Sequence, residues 1–286
     1  MMRMLPTRGW PISVVVIACL LAALPAWAQN SRSDTQDQRL REDFGNAYRA
    51  KKWSQAIELG LKLVELLPDN STHAYNLACV YSLKGSVDEA AEWLGKAAER
   101  GFSEVKLFET DSDLDNVREH AAYQDALAVV KENQRKKFKS LKKRFLKHPP
   151  LVFLPPKHDP NRPSPLIMAL HGYGAKARGV ASAWETVAAQ TGAILVAPQA
   201  VHKVAGSGGF SWLRPGVTNP DEADFLIEIT LKLVTAEFQI DKERMVLTGF
   251  SQGGFVALAV GARQPYKFAG VIPMAGGYIP AIDRPA

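Results

Sequence analysis

Short apolar runs alternate with amphipathic stretches through the second half of the chain. Five runs have the length of β-strands, and three of the stretches between them have the period of helices. The predicted strands cover residues 151–154, 165–170, 193–197, 244–248 and 269–274, and the predicted helices cover 180–191, 220–238 and 252–263. Because the strand runs are almost wholly apolar, we predict a mainly parallel sheet that is covered on both faces.

The first half of the chain has a helical pattern that repeats. Small and aromatic residues recur at matching offsets in two copies within 43–101, and Pro68 closes the first copy. The pattern resembles tetratricopeptide repeats, whose unit of ~34 residues is a pair of helices. A decayed third copy at 107–130 would give the usual minimum of ~3 units. The first copy departs from the pattern, because Gly60 stands where the repeat usually has an aromatic residue. The resemblance implies a scaffold that binds a peptide or protein partner; a structural cap without a ligand is the alternative.

Positive charge is concentrated between the two halves, and the chain has a net charge of +6. The basic residues of this segment are Lys131, Arg135, Lys136, Lys137, Lys139, Lys142, Lys143, Arg144 and Lys147, opposed only by Glu132. Such a run could bind nucleic acid or anionic lipid. No aromatic stacking pattern accompanies the charges, and export would remove nucleic acid as a natural partner. We therefore interpret 131–148 as a solvated helical linker.

The N-terminus has the three parts of a secretory signal peptide. Two arginines precede an apolar stretch over 12–24, and Ala26-Trp27-Ala28 is a small-residue cleavage site. We predict that residues 1–28 are removed and that the protein is exported, to the periplasm or outside the cell, with no membrane span afterwards. An uncleaved anchor is disfavoured because the apolar run is shorter than the ~20 residues that a span needs. Lipidation at Cys19 is a minor alternative.

The segment Gly249-Phe250-Ser251-Gln252-Gly253 joins a predicted strand to a predicted helix. This G-x-S-x-G arrangement is a nucleophile elbow, in which a tight turn exposes the serine hydroxyl and the glycines avoid collisions across the corner. A serine also needs a general base and an anion site before it can attack a carbonyl group. The helix that begins at Gln252 directs its N-terminus at the reacting carbon, so we predict that the Gln252 N–H stabilises the oxyanion.

A glycine-rich loop, His171-Gly172-Tyr173-Gly174, follows an earlier predicted strand. Its glycines allow the backbone to turn amides toward a substrate oxygen, and the Tyr173 N–H is the predicted second oxyanion donor. His171 is predicted to orient this loop. It precedes the serine on a different strand and is not expected to act as the general base.

These motifs, together with Ala197-Pro198-Gln199, resemble the phospholipase/carboxylesterase branch of the α/β-hydrolases over residues 165–278. Acyl-protein thioesterases and secreted esterases that cleave polyesters or feruloyl esters share this style. The resemblance implies that Ser251 is the nucleophile, that the two predicted amides donate to the oxyanion, and that Trp212 lines the acyl or alcohol pocket. It also places a catalytic Asp and then a His after two further strands.

The chain departs from this pattern after the elbow. All six histidines precede Ser251, and Asp283 is the only acidic residue that follows it, at a position where a minority of hydrolases carry the catalytic acid. We therefore expect a hydrolase domain that is incomplete at its C-terminal end and inactive as this chain. We also expect the strand at 269–274 to be an exposed apolar edge that makes the 286-residue form poorly soluble.

The predicted fold class is α/β. It comprises an all-α repeat domain (29–130), the basic linker (131–148) and an incomplete α/β-hydrolase domain with a doubly wound, mainly parallel sheet (149–286). We predict an exported serine hydrolase that cleaves small or polymeric carboxylic esters, or thioesters, through an acyl-enzyme; the elbow alone does not exclude a peptidase. The alternative is a protein-interaction module in which the repeats bind a partner and the hydrolase domain is a relic. No metal or organic cofactor is predicted, since no His, Cys and Asp cluster has ligand spacing.

Overall fold

The computed structural model describes residues 26–215, 217 and 220–276, with side chains from residue 37 onward. Most of the predicted signal peptide, including Cys19, lies outside the described residues, as does Asp283, so the predictions made for them stay predictions. Among the described helices, none combines the length and the apolar character needed to cross a lipid bilayer. The chain divides into two compact units, residues 1–134 and 135–286.

The first unit, called the helical unit below, consists of helices that pack against their sequence neighbours. In the described residues, α1 covers Ala26–Arg49, α2 Trp53–Leu66, α3 Ser71–Lys84, α4 Val87–Glu99 and α5 Val105–Thr110; a 3₁₀ helix covers Ser112–Val117, and α6 covers Ala121–Phe145. Asn70 caps α3, because its Oδ1 accepts hydrogen bonds from the backbone N–H groups of Thr72 and His73. Gly85 ends α3 with a φ of 85°, a left-handed conformation that favours glycine. The predicted helical pattern is confirmed, and its membership of the tetratricopeptide repeats stays a prediction.

Close packing around α2 explains the unusual glycine of the first copy. A Cβ atom at Gly60 would lie 2.9 Å from Leu77 Cδ1 and 3.2 Å from the Phe44 ring. Both neighbours are buried in the core that α1, α2 and α3 share. The helices therefore approach one another too closely for the aromatic side chain that the repeat pattern expects at this position.

The second unit is built on a five-stranded sheet of order β1-β3-β2-β6-β7. Its strands are β1 (Leu151–Phe153), β2 (Ser164–Leu170), β3 (Ile194–Ala197), β6 (Ile240–Phe250) and β7 (Gly270–Met274); the helices are α7 (Ala177–Thr191), α8 (Asp221–Glu237) and α9 (Gln252–Arg263). Pairing is parallel throughout except for β1, which runs antiparallel to β3. Each predicted strand and helix is present, with bounds that differ by four residues or fewer. The predicted mainly parallel sheet is confirmed.

Both faces of this sheet are covered. Leu166, Met168 and Leu170 of β2 belong to a large buried cluster, while Ile167 and Ala169 of the same strand belong to a separate one. Successive side chains of a strand point to opposite faces, so the alternation places one cluster on each face. A two-stranded ribbon, β4 (His202–Lys203) and β5 (Phe210–Ser211), lies in the segment between β3 and α8.

The basic segment differs from the solvated linker that we expected. It forms the second part of α6, and from Arg135 onward it belongs to the second unit. Leu141 and Phe145 are fully buried in the core of that unit, and the Phe138 ring stacks on Phe225 with centroids 4.3 Å apart. These apolar residues recur at helical spacing on one face, so the helix packs by that face while basic residues occupy the others.

Candidate active site

Ser251 lies at the sharp turn between β6 and α9. Its φ of 51° is positive, a conformation that non-glycine residues rarely adopt. The Ser251 N–H donates a hydrogen bond to the Met274 carbonyl at 2.8 Å, which ties the turn to the end of β7. Strained backbone of this kind persists only where its surroundings hold it, and it is concentrated at functional sites.

The glycines of the elbow are required by close contacts with backbone atoms. A Cβ at Gly249 would lie 2.2 Å from the Gly253 carbonyl oxygen, and a Cβ at Gly253 would lie 2.3 Å from the Leu170 carbonyl oxygen. A Cβ at Gly172 would lie 3.5 Å from the Ser251 Cβ. The structure thus brings the glycine-rich loop after β2 directly beside the serine.

Gln252 is the first residue of α9, so its N–H has no acceptor within the helix. Its side chain is held elsewhere: Oε1 accepts a hydrogen bond from the Trp212 N–H at 2.9 Å, and Nε2 donates to Ser211 Oγ at 3.0 Å. The side chain therefore anchors the segment after β5. The backbone N–H and the positive end of the helix dipole remain available to an oxyanion.

The loop at 171–174 is fixed from its far side by β5. The Gly174 N–H donates to the Phe210 carbonyl, and the Phe210 N–H donates to the Ala175 carbonyl, both at 3.0 Å. Tyr173 occupies the turn and its side chain is exposed. In the part of the chain that the structure describes, the Tyr173 N–H has no hydrogen-bond partner. This amide can therefore serve as a donor to a substrate oxygen.

His171 is buried and its two ring nitrogens are both engaged. Nε2 accepts a hydrogen bond from the Ala200 N–H at 3.1 Å and lies 2.8 Å from the donating Nε2 of Gln199. Nδ1 therefore carries the proton and donates to the Gly172 carbonyl at 2.8 Å. Burial lowers the pKa of His171, and the Gly172 hydrogen bond opposes that effect. The neutral His171 ring therefore holds the loop in place. Neither ring nitrogen has a lone pair free to accept the proton of a serine hydroxyl.

Trp212 does not line the site, contrary to what the resemblance implies. Its ring is fully buried, and its Nε1–H donates to the His171 carbonyl at 2.7 Å. The Trp212 ring also packs against the His171 ring and so supports the loop at 171–174. A cavity of ≈ 320 Å³ lies beside Ser251 and is lined by Leu213, Ser251, Gln252, Phe255 and Ala275. Leu213, the next residue along, lines this cavity.

Comparison with known proteins agrees with this geometry. Residues 147–281 match the model of a family described as "Putative esterase". Over 116 residues the chain is 32% identical to poly(3-hydroxyalkanoate) depolymerase C of Paucimonas lemoignei. This alignment covers 40% of this chain and 28% of that protein. The second unit is thus similar to carboxylic ester hydrolases over residues 147–281. We call residues 135–286 the esterase unit.

Other similarities are shorter or more distant. Over 89 residues the chain is 33% identical to acyl-protein thioesterase 1 homolog 2 of Dictyostelium discoideum. This alignment covers 28% of this chain and 40% of that protein. The chain thus spans less than half the length of either curated relative. A solved phospholipase/carboxylesterase from Dyadobacter fermentans aligns at 23% identity and a TM-score of 0.36, over 47% of this chain and 64% of that one. Residues 42–129 match a family described as a domain of unknown function, DUF6340.

A buried carboxylate in the esterase unit was not predicted from the sequence. Glu222 accepts a hydrogen bond from His202 at 2.8 Å and forms ion pairs with Arg214 at 2.9 Å and Lys137 at 3.4 Å. Burial alone would raise the pKa of Glu222, but the His202 hydrogen bond and the two cations lower it to about 2. The cluster joins α6, β4 and α8 to the segment that carries Leu213 into the cavity. Its members are far apart in the sequence, and the glutamate on the buried face of α8 is the only signal that could have revealed it.

The helical unit contains a second unpredicted polar cluster. Ligand-type atoms of Cys79, Asp111 and Asp113 lie within 4.8 Å of one another, and Cys79 is buried. Tyr75 donates to Asp111 at 2.7 Å, and Tyr48 donates to Asp113. Burial raises the pKa of the Cys79 thiol, which favours its protonated form. Hydrogen bonds from the two tyrosines thus hold both carboxylates in this cluster.

Proposed function

We propose that the esterase unit cleaves carboxylic esters or thioesters through an acyl-enzyme at Ser251. The observation that carries the proposal is the strained serine at the end of β6, next to the first residue of α9 and to the glycine-rich loop at 171–174. Ser251 Oγ would attack the substrate carbonyl, and the N–H groups of Gln252 and Tyr173 would stabilise the resulting oxyanion. Collapse of that intermediate would release the alcohol or thiol, and water would then hydrolyse the acyl-serine.

Attack by the serine needs a general base. Among the described residues that line the cavity none is a histidine, and both nitrogens of His171 are engaged. We infer that the base is not supplied by the described residues. Without it, Ser251 would keep only the contribution of the oxyanion donors and of substrate binding.

Chemical rescue tests this proposal. Imidazole is small enough for the ≈ 320 Å³ cavity, so it should accelerate p-nitrophenyl acetate hydrolysis by the chain beyond its effect on a Ser251→Ala variant. Ser182→Ala, at an exposed serine of α7, serves as the matched control and should behave as the parent chain. Equal rates for the parent and Ser251→Ala at every imidazole concentration would reject Ser251 as the nucleophile. Serine-dependent hydrolysis without imidazole would instead reject the inference about the base.

The names of the relatives indicate the class of substrate that we propose. One is a polyhydroxyalkanoate depolymerase and another an acyl-protein thioesterase, so their names span polymeric esters and thioesters. The cavity beside Ser251 is bordered by Leu213 and Phe255, which suits an apolar acyl or alcohol group. Rates on p-nitrophenyl esters of increasing acyl length, each measured against Ser251→Ala, would define the preference.

A second candidate function concerns the helical unit. A cavity of ≈ 410 Å³ there is lined by Arg41, Arg49 and Asn76, together with the two hydrogen-bonded aspartates. These side chains could bind the polar backbone or the terminal carboxylate of a peptide, as the resemblance to tetratricopeptide repeats implies. If a peptide library binds the chain, Arg49→Gln should weaken the interaction and Lys62→Gln on α2 should not. Equal binding by all three proteins would reject this surface as the site.

Export is also part of the proposed function. It rests on the three-part pattern of residues 1–28, which lies mainly outside the described residues. Expression in a bacterial host followed by N-terminal sequencing should find a mature protein that begins at Gln29. Retention of residue 1 in the exported fraction would contradict cleavage.

A further inference from the structure

A larger cavity lies on the other side of the glycine-rich loop from Ser251. It has a volume of ≈ 730 Å³ and belongs wholly to the esterase unit. One of its lining residues, Gln199, follows β3, whereas Ser251 follows β6, and these parallel strands flank β2. Adjacent strands lie ~4.8 Å apart, so the two cavities open at the same edge of the sheet, on the order of 10 Å apart. They share no described lining residue.

The rim of this larger cavity is basic. Lys147, Lys176, Arg178 and Lys203 line it, and among the described lining residues none is an aspartate or glutamate. Arg178 approaches Glu185 at 4.0 Å, whereas the three lysines form no ion pair within the described part of the chain. Several cations around one concave surface create a positive potential that attracts and retains an anion.

The N-terminus of α7 adds to this potential. The Ala177 N–H donates to Gln199 Oε1 at 3.0 Å, so the start of the helix is fixed against the cavity wall. The next N–H group, that of Arg178, has no acceptor within the helix. In a helix of 15 residues, the aligned peptide dipoles place partial positive charge at this end.

The floor of the cavity is apolar. Leu151, Val204 and Phe210 contribute to it, and all three side chains are half-buried. The His148 ring meets the Phe210 ring edge-on with centroids 5.6 Å apart. A ligand that matches both parts of this cavity must therefore carry an apolar body as well as a negative charge.

We propose that this cavity binds a small amphipathic carboxylate. The carboxylate lies among Lys147, Lys176 and Lys203 near the start of α7, and the apolar body packs on Leu151 and Phe210. Acids released by ester hydrolysis belong to this chemical class, so a role for the cavity in holding a substrate end or a product rests on the proposed function. Binding itself does not, because none of these residues takes part at Ser251.

Calorimetric titration of the full chain with 4-phenylbutyrate, and with its neutral isostere 4-phenylbutyramide, tests the proposal. The carboxylate should bind at least tenfold more tightly than the amide, and raising the salt concentration should weaken it. A Lys176→Gln/Lys203→Gln double variant should lose about tenfold in affinity, since each exposed ion pair contributes a few-fold. Lys232→Gln, at an exposed lysine of α8, is the matched control and should bind as the parent does.

Two further variants keep the test decisive if the double variant is unstable. Val204→Trp should place a bulky ring over the apolar floor of the cavity and weaken binding, whereas Ser251→Ala should leave binding unchanged. Equal affinity for the amide, equal losses in the double variant and in Lys232→Gln, or unchanged binding by Val204→Trp would each overturn the proposal. Loss of binding in Ser251→Ala would place the ligand at the nucleophile and overturn it too. A failure of Ser251 to react with ester substrates would leave these binding results as they are.

Discussion

A buried glycine marks a tight approach in each of the two units, but the atoms that it approaches differ. In the helical unit, a Cβ at Gly60 would meet the Leu77 and Phe44 side chains at 2.9 and 3.2 Å. In the esterase unit, a Cβ at Gly253 would meet the backbone oxygens of Leu170 and His171 at 2.3 and 2.6 Å. Side chains can rotate away, whereas backbone held in a sheet cannot. The helical unit can therefore adjust its packing, whereas the esterase unit cannot do so at the turn that carries Ser251.

The largest effect is expected at the elbow. Gly253→Ala should destabilise the esterase unit by more than about 3 kcal/mol, because the new Cβ can be accommodated only if β2 or α9 moves. Gly270→Ala is the matched control in the same unit, since its Cβ would meet nothing within 4 Å. Hydrogen exchange of peptides from 240–263, monitored as the full chain is chemically denatured, would measure the change in unfolding free energy for both variants. A change below 1 kcal/mol for Gly253→Ala would show that the elbow is not rigid.

The buried carboxylate of the esterase unit should make its stability depend on pH. The pKa of Glu222 falls from 4.5 to about 2 on folding, so its contribution is complete above about pH 5 and is lost as the pH falls toward 2. At neutral pH this contribution amounts to about 3 kcal/mol. Glu222→Gln should remove it and flatten the stability profile of peptides from 202–230 between pH 5 and 2. Glu237→Gln, at an exposed position of α8, should keep the profile of the parent chain.

A smaller effect is expected at the tight point of the helical unit. Gly60→Ala should destabilise that unit by about 1–2 kcal/mol, since the Leu77 side chain has to move while the helix itself favours alanine. Gly95→Ala on α4 is the control, because its Cβ would meet nothing within 4 Å, and it should be neutral or stabilising. If Gly60→Ala were as damaging as Gly253→Ala, the contrast between the two units would be wrong.

The smallest effect is expected at the polar cluster of the helical unit. Tyr75→Phe removes the hydrogen bond to Asp111 but keeps the ring, which stacks on Phe102 with centroids 4.3 Å apart. The expected loss is about 1 kcal/mol. Tyr266→Phe, at a fully exposed tyrosine, should be neutral. A loss of more than 3 kcal/mol would indicate that the cluster is a cooperative network in which the tyrosine hydroxyl is indispensable.

The two units also differ in how much of their chemistry could be predicted. Parallel strands bring their carboxyl ends to one edge of the sheet, so motifs that follow two strands are placed together by the fold itself. For this reason the sequence alone predicts that the loop at 171–174 lies beside Ser251. The same logic cannot say which way a loop residue faces, and Trp212 proved to be a buried support while Leu213 lines the cavity.

Polar groups that meet through long-range packing could not be predicted. Glu222, His202 and Lys137 come from three different elements, and no local period or spacing connects them. The Cys79 and Asp111 pair of the helical unit is of the same kind. The packing of the basic segment was missed for a related reason. Its dense charge obscured the helical spacing of Phe138, Leu141 and Phe145, which pack this part of α6 against the core of the esterase unit.

Covalent labelling of the full chain shows whether Ser251 is the nucleophile. We predict that a fluorophosphonate probe, supplied together with imidazole as the general base, modifies the full chain at Ser251, because the turn exposes its hydroxyl and the flanking amides stabilise the negative oxygen of the phosphonyl group. Peptide mapping by mass spectrometry should find the adduct on Ser251 in the parent chain and in Ser182→Ala. Ser251→Ala should carry no adduct. Modification of another serine, or equal labelling of Ser251→Ala and the parent, would contradict the assignment of Ser251 as the nucleophile.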